Sequence, residues 1–379
     1  MKLDGQHAIV VGGATGGLVA ALLLSRAGAR VTILERVLDP MAVGAGIALA
    51  ENGLAVLDAL GLGDAVANHG CAIEGVRVVD GQRRALLVPR GPQPRGLMMR
   101  RSDLQTVLEE AVRRAPGVER VLGAKVVDAD VDGNVSVRRR DAGAETWTMR
   151  GDLVVGADGL RSRVRETGDF GARVGRPAGR YVRALVGVGL ARSEEAWTRE
   201  GLFGSFAVPG GTYVYASASG PAGRAIDSRG DLRAWKDAWS EAYAPARDIL
   251  AGIVGWDQLL VNDVVRVDCE RFFDGRRVLL GDAAHAMAPN LGQGANSAIV
   301  DAAVLAWALR RSEDIPSALA AYDARRRPSV RAVADRAARL GALAGWTSAP
   351  ARFVRDRLLL PVAERFADER AMRVVMQEP

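Results

Sequence analysis

The sequence predicts an α/β fold in which a Rossmann-like nucleotide-binding domain carries an inserted, mostly antiparallel sheet and a helical C-terminus. Three observations predict this fold. A glycine-rich turn lies between an apolar strand and a helix at the start of the chain, within VVGGATGGLVAALLLSRAGARVTILER. Two further apolar runs, near 153 and 278, lead into GADG and GDAAH. Between 181 and 267 the pattern changes to short apolar runs separated by glycines, which is typical of antiparallel strands.

The composition is that of an ordinary globular protein and excludes several classes. The 379 residues are 49% hydrophobic and 25% charged, which excludes a disordered chain. The net charge is +6, but 51 basic residues face 45 acidic ones and are scattered, so we expect no nucleic-acid binding. Cys71 and Cys269 are far apart, which argues against a disulfide framework and suits a reducing cytoplasm. Without a leader or an apolar run of about 18 residues, we expect neither secretion nor a membrane span.

The first elements are a strand, a helix and a second strand. His7–Val11 is a short apolar run, which predicts a buried parallel strand. A helix with an apolar face should begin near Gly16 and end near Gly28. The segment Arg30–Glu35 then predicts the second strand. This order is that of a nucleotide-binding βαβ unit.

The turn after the first strand nearly matches the fingerprint G-x-G-x-x-G, but Ala14 stands where the middle glycine is expected. Gly12 permits the tight bend, Gly17 allows close helix packing, and the helix start offers free N–H groups to a pyrophosphate. The extra methyl group should cost on the order of 1 kcal/mol. The predicted phosphate-binding turn comprises Gly12, Gly13, Ala14, Thr15, Gly16 and Gly17. A purely structural turn is the alternative at this point.

Glu35 closes the second predicted strand, and Arg36 follows it. A carboxylate at this place accepts hydrogen bonds from ribose hydroxyls, which indicates a cofactor with a free 2′-OH. FAD and NAD both meet this requirement. We therefore include Glu35 and Arg36 in the predicted cofactor site.

The second motif follows the apolar run 153–155, which predicts a strand ending at GADG. Asp158 lies at the end of that strand, where ligands are contacted in open α/β sheets. Ser162 is placed to cap a following helix. The alternative is a solvated loop with a capping serine.

The third motif is the most specific of the three. The run 278–280 predicts a strand, Asp282 follows it, and a Pro/Gly-rich segment leads into a long helix beginning near Ala295. An acidic residue at a strand end can bind sugar-alcohol hydroxyls. Backbone N–H groups at the helix start can stabilise negative charge on a ring. They belong to Gly292, Gln293, Gly294 and Asn296.

These motifs together resemble the FAD-dependent aromatic hydroxylases, the single-component class A flavoprotein monooxygenases related to salicylate, para-hydroxybenzoate and urate hydroxylases. The resemblance covers most of the chain and implies a para-hydroxybenzoate hydroxylase-like FAD-binding domain. It implies that the first turn and Glu35 bind the ADP half of FAD, that Asp158 and Gly159 serve FAD and NAD(P)H together, and that Asp282 holds the ribityl chain. Pro289 and the segment 292–296 would lie along the isoalloxazine ring.

Two further stretches carry the resemblance. RRSDLQTVL looks like the family's Arg-x-x-Leu element and implies that Arg101 lies near the flavin and its phosphates. VGAGIALAENGLAVLDALGL looks like the segment that crosses close to the flavin, with Gly44 and Gly46 at the approach. Small residues occur in some members at the position of Ala14, which makes it a tolerated variant.

The expected domains are discontinuous in sequence. The FAD-binding domain would comprise 1–70, 98–175 and 268–345, and the substrate-binding sheet 71–97 and 176–267. A helical segment, 346–379, would close the chain.

The substrate region offers two tyrosines but no evident catalytic base. Tyr213 and Tyr215 lie two apart in a predicted strand and share one face, where they could orient a substrate hydroxyl or simply pack in the sheet. One amphipathic helix over LRAWKDAWSEAYAPARDIL places Trp235 and Trp239 in the core. We expect His285 to pack and to form hydrogen bonds. A metal site is not expected, because none of the three histidines is paired at ligand spacing.

The resemblance implies a reaction as well as a fold. NADH or NADPH would reduce tightly but non-covalently bound FAD, O2 would add at the flavin C4a, and the resulting hydroperoxide would hydroxylate an electron-rich aromatic small molecule. The alternatives are a flavin-dependent epoxidase of alkenes, an FAD dehydrogenase or reductase without oxygen transfer, and a non-catalytic FAD-binding protein. The substrate, the nicotinamide cofactor and the choice between monomer and homodimer are left open.

Overall fold

The structure is a computed structural model that describes residues 3–39, 45–88, 93–139, 145–190, 192–218, 220, 222–223 and 230–361. Its strands in chain order are β1 His7–Val11, β2 Arg30–Glu35, β3 Gly46–Ala50, β4 Gly70–Ala72, β5 Arg77–Asp80, β6 Ala85–Leu87, β7 Gly96–Arg100, β8 Val118–Leu122, β9 Ala124–Ala129, β10 Asn134–Arg139, β11 Thr146–Arg150, β12 Leu153–Gly156, β13 Arg173–Val174, β14 Gly179–Val186, β15 Glu194–Thr198, β16 Gly201–Val208, β17 Gly211–Ser217, β18 Leu260–Val264, β19 Val267–Asp268, β20 Phe273–Asp274 and β21 Arg277–Leu279.

The α-helices of the described residues are α1 Thr15–Arg26, α2 Glu51–Ala59, α3 Gly63–Ala67, α4 Arg101–Arg114, α5 Arg163–Glu166, α6 Leu232–Ala242, α7 Ala246–Ala251, α8 Asp282–His285, α9 Gly294–Arg311, α10 Ile315–Ala344 and α11 Ala349–Val354. Short 3-10 turns span Trp256–Gln258 and Pro289–Leu291, and a π-helical turn spans Arg355–Leu359. Within the described residues, no helix has both the length and the apolar character of a membrane span.

A six-stranded sheet of order β20-β21-β12-β1-β2-β8 forms the centre of the nucleotide-binding part. The pairs from β21 to β8 are parallel, and only the edge strand β20 runs antiparallel. All five residues of β1 are buried, as a central parallel strand requires. Because the carboxyl ends of parallel strands meet at one edge of the sheet, the loops after β1, β2, β12 and β21 converge there.

A seven-stranded sheet of order β18-β14-β17-β16-β15-β5-β6 forms the second layer. Its pairs are antiparallel except for β5 with β15. Helices α6 and α7 cover one face, where Trp235 and Trp239 are buried with Phe203. The opposite face, which we call the inner face, carries Tyr213 and Tyr215 and packs against residues of β3, β7 and the C-terminal helices.

The predicted fold class is confirmed in its main elements. Strands β1 and β2 have the predicted bounds, α1 begins one residue before Gly16, and α9 begins one residue before Ala295. The single helix predicted over 232–250 is wrong, because α6 ends at Ala242 and α7 starts after Pro245. Pro245 lacks the N–H that would continue the first helix.

The C-terminal part is helical as far as the structure describes it. Helix α10 runs for 30 residues, and α11 follows it. Of the predicted segment 346–379, residues 362–379 lie outside the described residues.

Candidate functional site

The first turn is shaped by two glycines that the backbone requires. Gly12 has φ +108°, and a methyl group there would lie 2.4 Å from the carbonyl oxygen of Ala157 on the neighbouring loop. A methyl group at Gly17 would lie 1.9 Å from the carbonyl oxygen of Gly12. Both positions therefore exclude any side chain, in agreement with the predicted tight bend and close helix packing.

Ala14 occupies a different kind of position. It is the exposed residue that precedes α1, and no side chain caps the helix start. The N–H groups of Thr15, Gly16 and Gly17 belong to the first turn, whose earliest helical bond runs from Leu18 to Ala14. The methyl group of Ala14 thus displaces no protein atom, and the helix start remains available to an anion.

Glu35 lies against this turn at the end of β2. Its Oε2 accepts the N–H of Gly13 at 2.7 Å, and its Oε1 accepts the N–H of Val37 at 2.9 Å. Each carboxylate oxygen keeps a lone pair for a further donor. Arg36, the next residue, is exposed. The structure thus brings the predicted ribose acceptor beside the predicted phosphate cradle.

Asp158 carries an unsatisfied buried atom at the same edge of the sheet. Its Oδ2 accepts the N–H of Arg163 at 2.6 Å, whereas its Oδ1 is buried and has no hydrogen-bond partner among the residues that the structure describes. Burial raises the pKa of Asp158, and hydrogen bonds from Ser162 and backbone N–H groups lower it only partly. Ser162 caps α5 as predicted, accepting the N–H of Arg165 at 3.0 Å. The free Oδ1 fits the hydroxyl of a bound ligand.

Asp282 begins α8 directly after β21. It is exposed, and Gly281 before it has φ +59°, which turns the chain sharply out of the strand. The side chain of Asp282 makes no hydrogen bond with the described residues, so both oxygens can accept ribityl hydroxyls.

The segment from Pro289 to Asn296 is joined to β3 by the side chain of Asn296. Pro289 starts a 3-10 turn, Gly292 follows with φ +63°, and α9 begins at Gly294 without a side-chain cap from Gln293. The Asn296 side chain donates to the carbonyl oxygens of Ala48 and Gly292 and accepts the N–H of Ala50, each at 2.9 Å. These three hydrogen bonds occupy the polar atoms of the Asn296 side chain. The backbone N–H groups at the start of α9 have no side-chain cap, so they can donate to the isoalloxazine ring of FAD.

Gly46 begins β3, and Arg101 directly follows β7, the strand that pairs with β3. The N–H of Arg101, the first residue of α4, donates to the carbonyl oxygen of Ala45 at 2.9 Å, and its side chain is exposed. A methyl group at Gly46 would lie 2.3 Å from the Tyr213 ring, so the tyrosine rests directly on this glycine. Gly44 lies outside the described residues.

Tyr213 and Tyr215 share the inner face as predicted, with ring centroids 5.8 Å apart. The Tyr215 hydroxyl donates to Glu195 Oε2 at 2.5 Å. The Tyr213 hydroxyl makes no hydrogen bond with the described residues. Burial raises the pKa of Tyr213, and the positive charges of Arg183 and Arg101 counteract it. Of these two hydroxyls, that of Tyr213 donates to none of the described residues.

His285 takes the structural role that was expected. Its Nε2 lies 2.6 Å from Asp301 Oδ2, which also accepts the N–H of Gly281 at 2.9 Å. Arg326 contacts the other oxygen, Oδ1, at 2.7 Å. Burial would raise the pKa of Asp301, but the charges of His285 and Arg326 lower it to about 2. This cluster fixes the turn that carries Asp282. No group of side chains that could hold a metal ion occurs among the described residues.

Four contributors were not identified from the sequence. Gln105 donates to the carbonyl oxygen of Gly13 at 2.8 Å. It shares a helix face with Arg101 four residues earlier, and this spacing is the sequence signal for its position. Glu195, Arg183 and Asp301 carry no local signal, because their partners come from other strands and helices.

The residues around the edge of the central sheet fit FAD. The start of α1 offers N–H groups to a pyrophosphate, Glu35 and Asp158 keep acceptor capacity, and the Asp282 carboxylate is free. These are the donors and acceptors that the ADP half and the ribityl chain require.

Comparisons with known proteins agree with this geometry. A family model described as FAD binding domain matches residues 6–337. Aurachin C monooxygenase/isomerase of Stigmatella aurantiaca is 32% identical over 99% of this chain and 99% of that protein. The 3-hydroxybenzoate 6-hydroxylase 1 of Aquipseudomonas alcaligenes is 31% identical over 84% of each.

Solved structures share the same fold. The structure of 2-methyl-3-hydroxypyridine-5-carboxylic acid oxygenase superposes with a TM-score of 0.77 at 25% identity, covering 93% of this chain and 96% of that chain. Klebsiella pneumoniae HpxO, solved with FAD and uric acid, has a TM-score of 0.80 at 22% identity and covers 99% of this chain and 98% of its own. The chain therefore belongs to the FAD-dependent aromatic hydroxylases, the class A flavoprotein monooxygenases.

Proposed function

We propose that this monooxygenase hydroxylates an electron-rich aromatic small molecule, with NADH or NADPH as the electron donor and O2 as the source of oxygen. The observation that carries the proposal is the contact between the inner face and the cofactor segments. The Tyr213 ring rests on Gly46 of β3, and Asn290 donates to the Tyr181 hydroxyl at 2.8 Å. A ring bound on this face would lie next to the residues that fit FAD.

The inner face has the chemistry to bind an aromatic ring. Several aromatic residues gather there, and the Phe206 ring stacks on the Tyr215 ring with centroids 5.8 Å apart. Tyr181, Tyr213 and Trp197 belong to the same face, and the Tyr181 ring lies 6.3 Å from the Tyr215 ring. Aromatic side chains favour such contacts with a planar ligand. The polar tips of the tyrosines add hydrogen bonds that fix its orientation.

FAD, when bound, supplies the redox chemistry that activates O2, and the protein supplies positioning and exclusion of water. We propose that Tyr213 contacts the substrate through its free hydroxyl and that Arg183, half-buried on the same face, adds positive charge beside it. We propose for FAD the full set of turn, strand-end and loop residues described above. A cytoplasmic location is proposed because Cys71 and Cys269 are both free thiols.

A substrate screen tests this function directly. Purified holoenzyme would be mixed with a panel of phenols, hydroxyquinolines and heteroaromatic acids while NAD(P)H consumption and O2 uptake are followed together. The expected result is a compound that consumes both in equal amounts and gains one oxygen atom by mass. NAD(P)H consumption without oxygen in any product would instead indicate a reductase, and oxygen gained only by alkenes would indicate an epoxidase.

A further inference from the structure

The segment 346–361, which we call the cap segment, reverses the usual distribution of polar and apolar side chains. Its buried side carries Arg355, which is 0% exposed, together with Leu360. Its outer side carries large apolar residues, of which Phe353 is 62% exposed and Leu358 54% exposed. We call these two residues the apolar patch, together with Trp346, Val354 and Leu359, which are also exposed. A surface helix normally turns its apolar side inward, so this patch is suited to contact with a non-aqueous surface.

The contacts of Arg355 explain how a cation can be buried here. Its Nε lies 2.5 Å from the Asp356 carboxylate, and its guanidinium lies 5.2 Å from the centre of the Trp197 ring. It also donates to the carbonyl oxygens of Ala344 and Trp346 at 3.3 and 3.2 Å, near the end of α10. The buried charge is therefore paired and hydrogen-bonded, which burial of a guanidinium requires.

The same contacts attach the cap segment to the substrate sheet. Leu360 packs in one cluster with Trp197 of β15 and Leu202 of β16, and Arg355 stacks on Trp197. The apolar patch lies on the opposite, outer side of the segment. A surface that binds the patch would therefore also hold the substrate sheet.

Two arginines of the cap segment have no acidic partner. The segment contains Arg352, Arg355 and Arg357 but a single acidic residue, Asp356, which pairs with Arg355. Arg357 is exposed four residues after Phe353, and the Nε of Arg352 is buried without a hydrogen-bond partner among the described residues. No described carboxylate forms an ion pair with either arginine. The patch thus combines apolar side chains with positive charge.

This charge distinguishes between the surfaces that could cover the patch. A second copy of the chain, bound about a two-fold axis, would bring Arg352 and Arg357 close to the same arginines of the other copy. Their like charges would oppose such a contact. A bilayer with anionic lipids instead offers acyl chains beneath phosphate groups, which matches apolar side chains accompanied by arginines. Trp346 is also of a residue type that is favoured at the bilayer interface.

We propose that the apolar patch docks on the surface of an anionic lipid bilayer. Phe353, Leu358 and Leu359 enter the boundary between headgroups and acyl chains, and Arg352 and Arg357 contact the lipid phosphates. Because the cap segment is attached to the substrate sheet, docking holds that sheet next to the bilayer. This inference goes beyond the proposed function and does not depend on it, since lipid binding is measured without turnover.

The test is co-sedimentation of the full-length, FAD-loaded protein with lipid vesicles. One set of vesicles contains phosphatidylcholine and phosphatidylglycerol in equal parts, and the other contains phosphatidylcholine alone. The first variant combines Phe353→Ser with Leu358→Ser, and the second combines Arg352→Gln with Arg357→Gln. FAD content, melting temperature and mass in solution would be measured for every protein.

Two matched controls change exposed residues outside the cap segment. Val254→Ser replaces an apolar side chain that is 84% exposed in the loop after α7. Arg233→Gln replaces an exposed arginine of α6. Both controls should bind the anionic vesicles as the wild type does, because neither residue belongs to the patch.

We expect the wild type to bind the anionic vesicles at least about tenfold more tightly than phosphatidylcholine vesicles. The double serine variant should bind the anionic vesicles about tenfold more weakly or less, because two apolar side chains no longer enter the bilayer. The double glutamine variant should lose about fivefold or more, and its binding should respond less to added salt. FAD content should stay at the wild-type level in both variants.

Several results would overturn the proposal. They are no binding of the wild type to anionic vesicles, equal binding to both lipid compositions, and equal losses in the patch variants and their controls. A wild-type dimer that the double serine variant converts to a monomer, without vesicle binding, would assign the patch to a contact between copies. Vesicle binding that occurs only after removal of residues 362–379 would assign the patch to that segment of the chain. Either assignment would also overturn docking on lipid.

Discussion

The two tyrosines of β17 should respond differently when they lose their hydroxyl groups, because among the described residues only the Tyr215 hydroxyl has a partner. Tyr215→Phe leaves Oε2 of the buried Glu195 without its donor, which should cost about 1–3 kcal/mol of unfolding free energy. Tyr213→Phe removes a hydroxyl that no described residue satisfies, so the change should be less than about 0.5 kcal/mol. The melting temperature should therefore fall by several degrees only for Tyr215→Phe.

Tyr213→Phe should change turnover even though it leaves the melting temperature almost unchanged. A substrate hydrogen bond from the free Tyr213 hydroxyl contributes about 0.5–1.5 kcal/mol, so Tyr213→Phe should raise KM or hydrogen peroxide release about two- to tenfold. FAD content should stay at the wild-type level, since the Tyr213 hydroxyl bonds to none of the residues assigned to the cofactor. The measurements are KM, the ratio of product to O2 consumed, and flavin absorbance after denaturation.

One pattern of results would refute this reasoning. If Tyr213→Phe, Tyr215→Phe and the double variant all keep wild-type turnover and coupling on the identified substrate, both tyrosines are packing residues. Equal losses of melting temperature in the two single variants would likewise contradict the assignment of the free hydroxyl to Tyr213.

The remaining expectations concern the cofactor site and its support. The purified protein should be yellow and should release FAD on denaturation, and a colourless protein that takes up no FAD in absorbance titrations would contradict the assigned site. Asp282→Ala should lose about 1.5–3 kcal/mol of FAD binding, whereas Ala14→Gly should be nearly neutral, as fluorescence titration of the apoprotein would measure. Because the folded pKa of Asp301 is lowered to about 2, its contribution of about 2–3 kcal/mol is present above pH ~4 and should be lost as pH falls from ~4 to ~2 in acid-unfolding curves. Asp301→Asn should flatten that part of the curve.

The nucleotide-binding unit was predictable because its signals are local. An apolar run, a glycine turn and an apolar helix face lie next to one another in sequence, and β1 and β2 have the bounds expected from them. The positions of Asp158 and Asp282 at strand ends could be predicted in the same way, because each follows a short apolar run. Their convergence at one edge follows from the parallel order of the sheet and needs no further information.

The polar contacts between distant segments were not predictable in the same way. The pairing of Glu195 with Tyr215 depends on the register of β15, β16 and β17, which no single segment encodes. The Asp301 cluster joins α8, α9 and α10, so none of its partners is a sequence neighbour. The helix break before Pro245 has a local signal, since proline cannot continue a helix, whereas the spacing of Trp235 and Trp239 favours one continuous helix.

The order of the strands has a consequence for how the chain reaches its native state during synthesis. Strand β1 pairs with β12 through Ala8 and Leu153, and β12 pairs with β21 through Val154 and Arg277. Strand β5 likewise meets β15 only when residues near Glu194 have left the ribosome. Strands made early therefore keep one edge unpaired and their apolar side chains exposed until their partner strands are synthesised. Such non-local pairing folds slowly and exposes the nascent chain to aggregation, so recovery from denaturant should depend strongly on dilution and temperature.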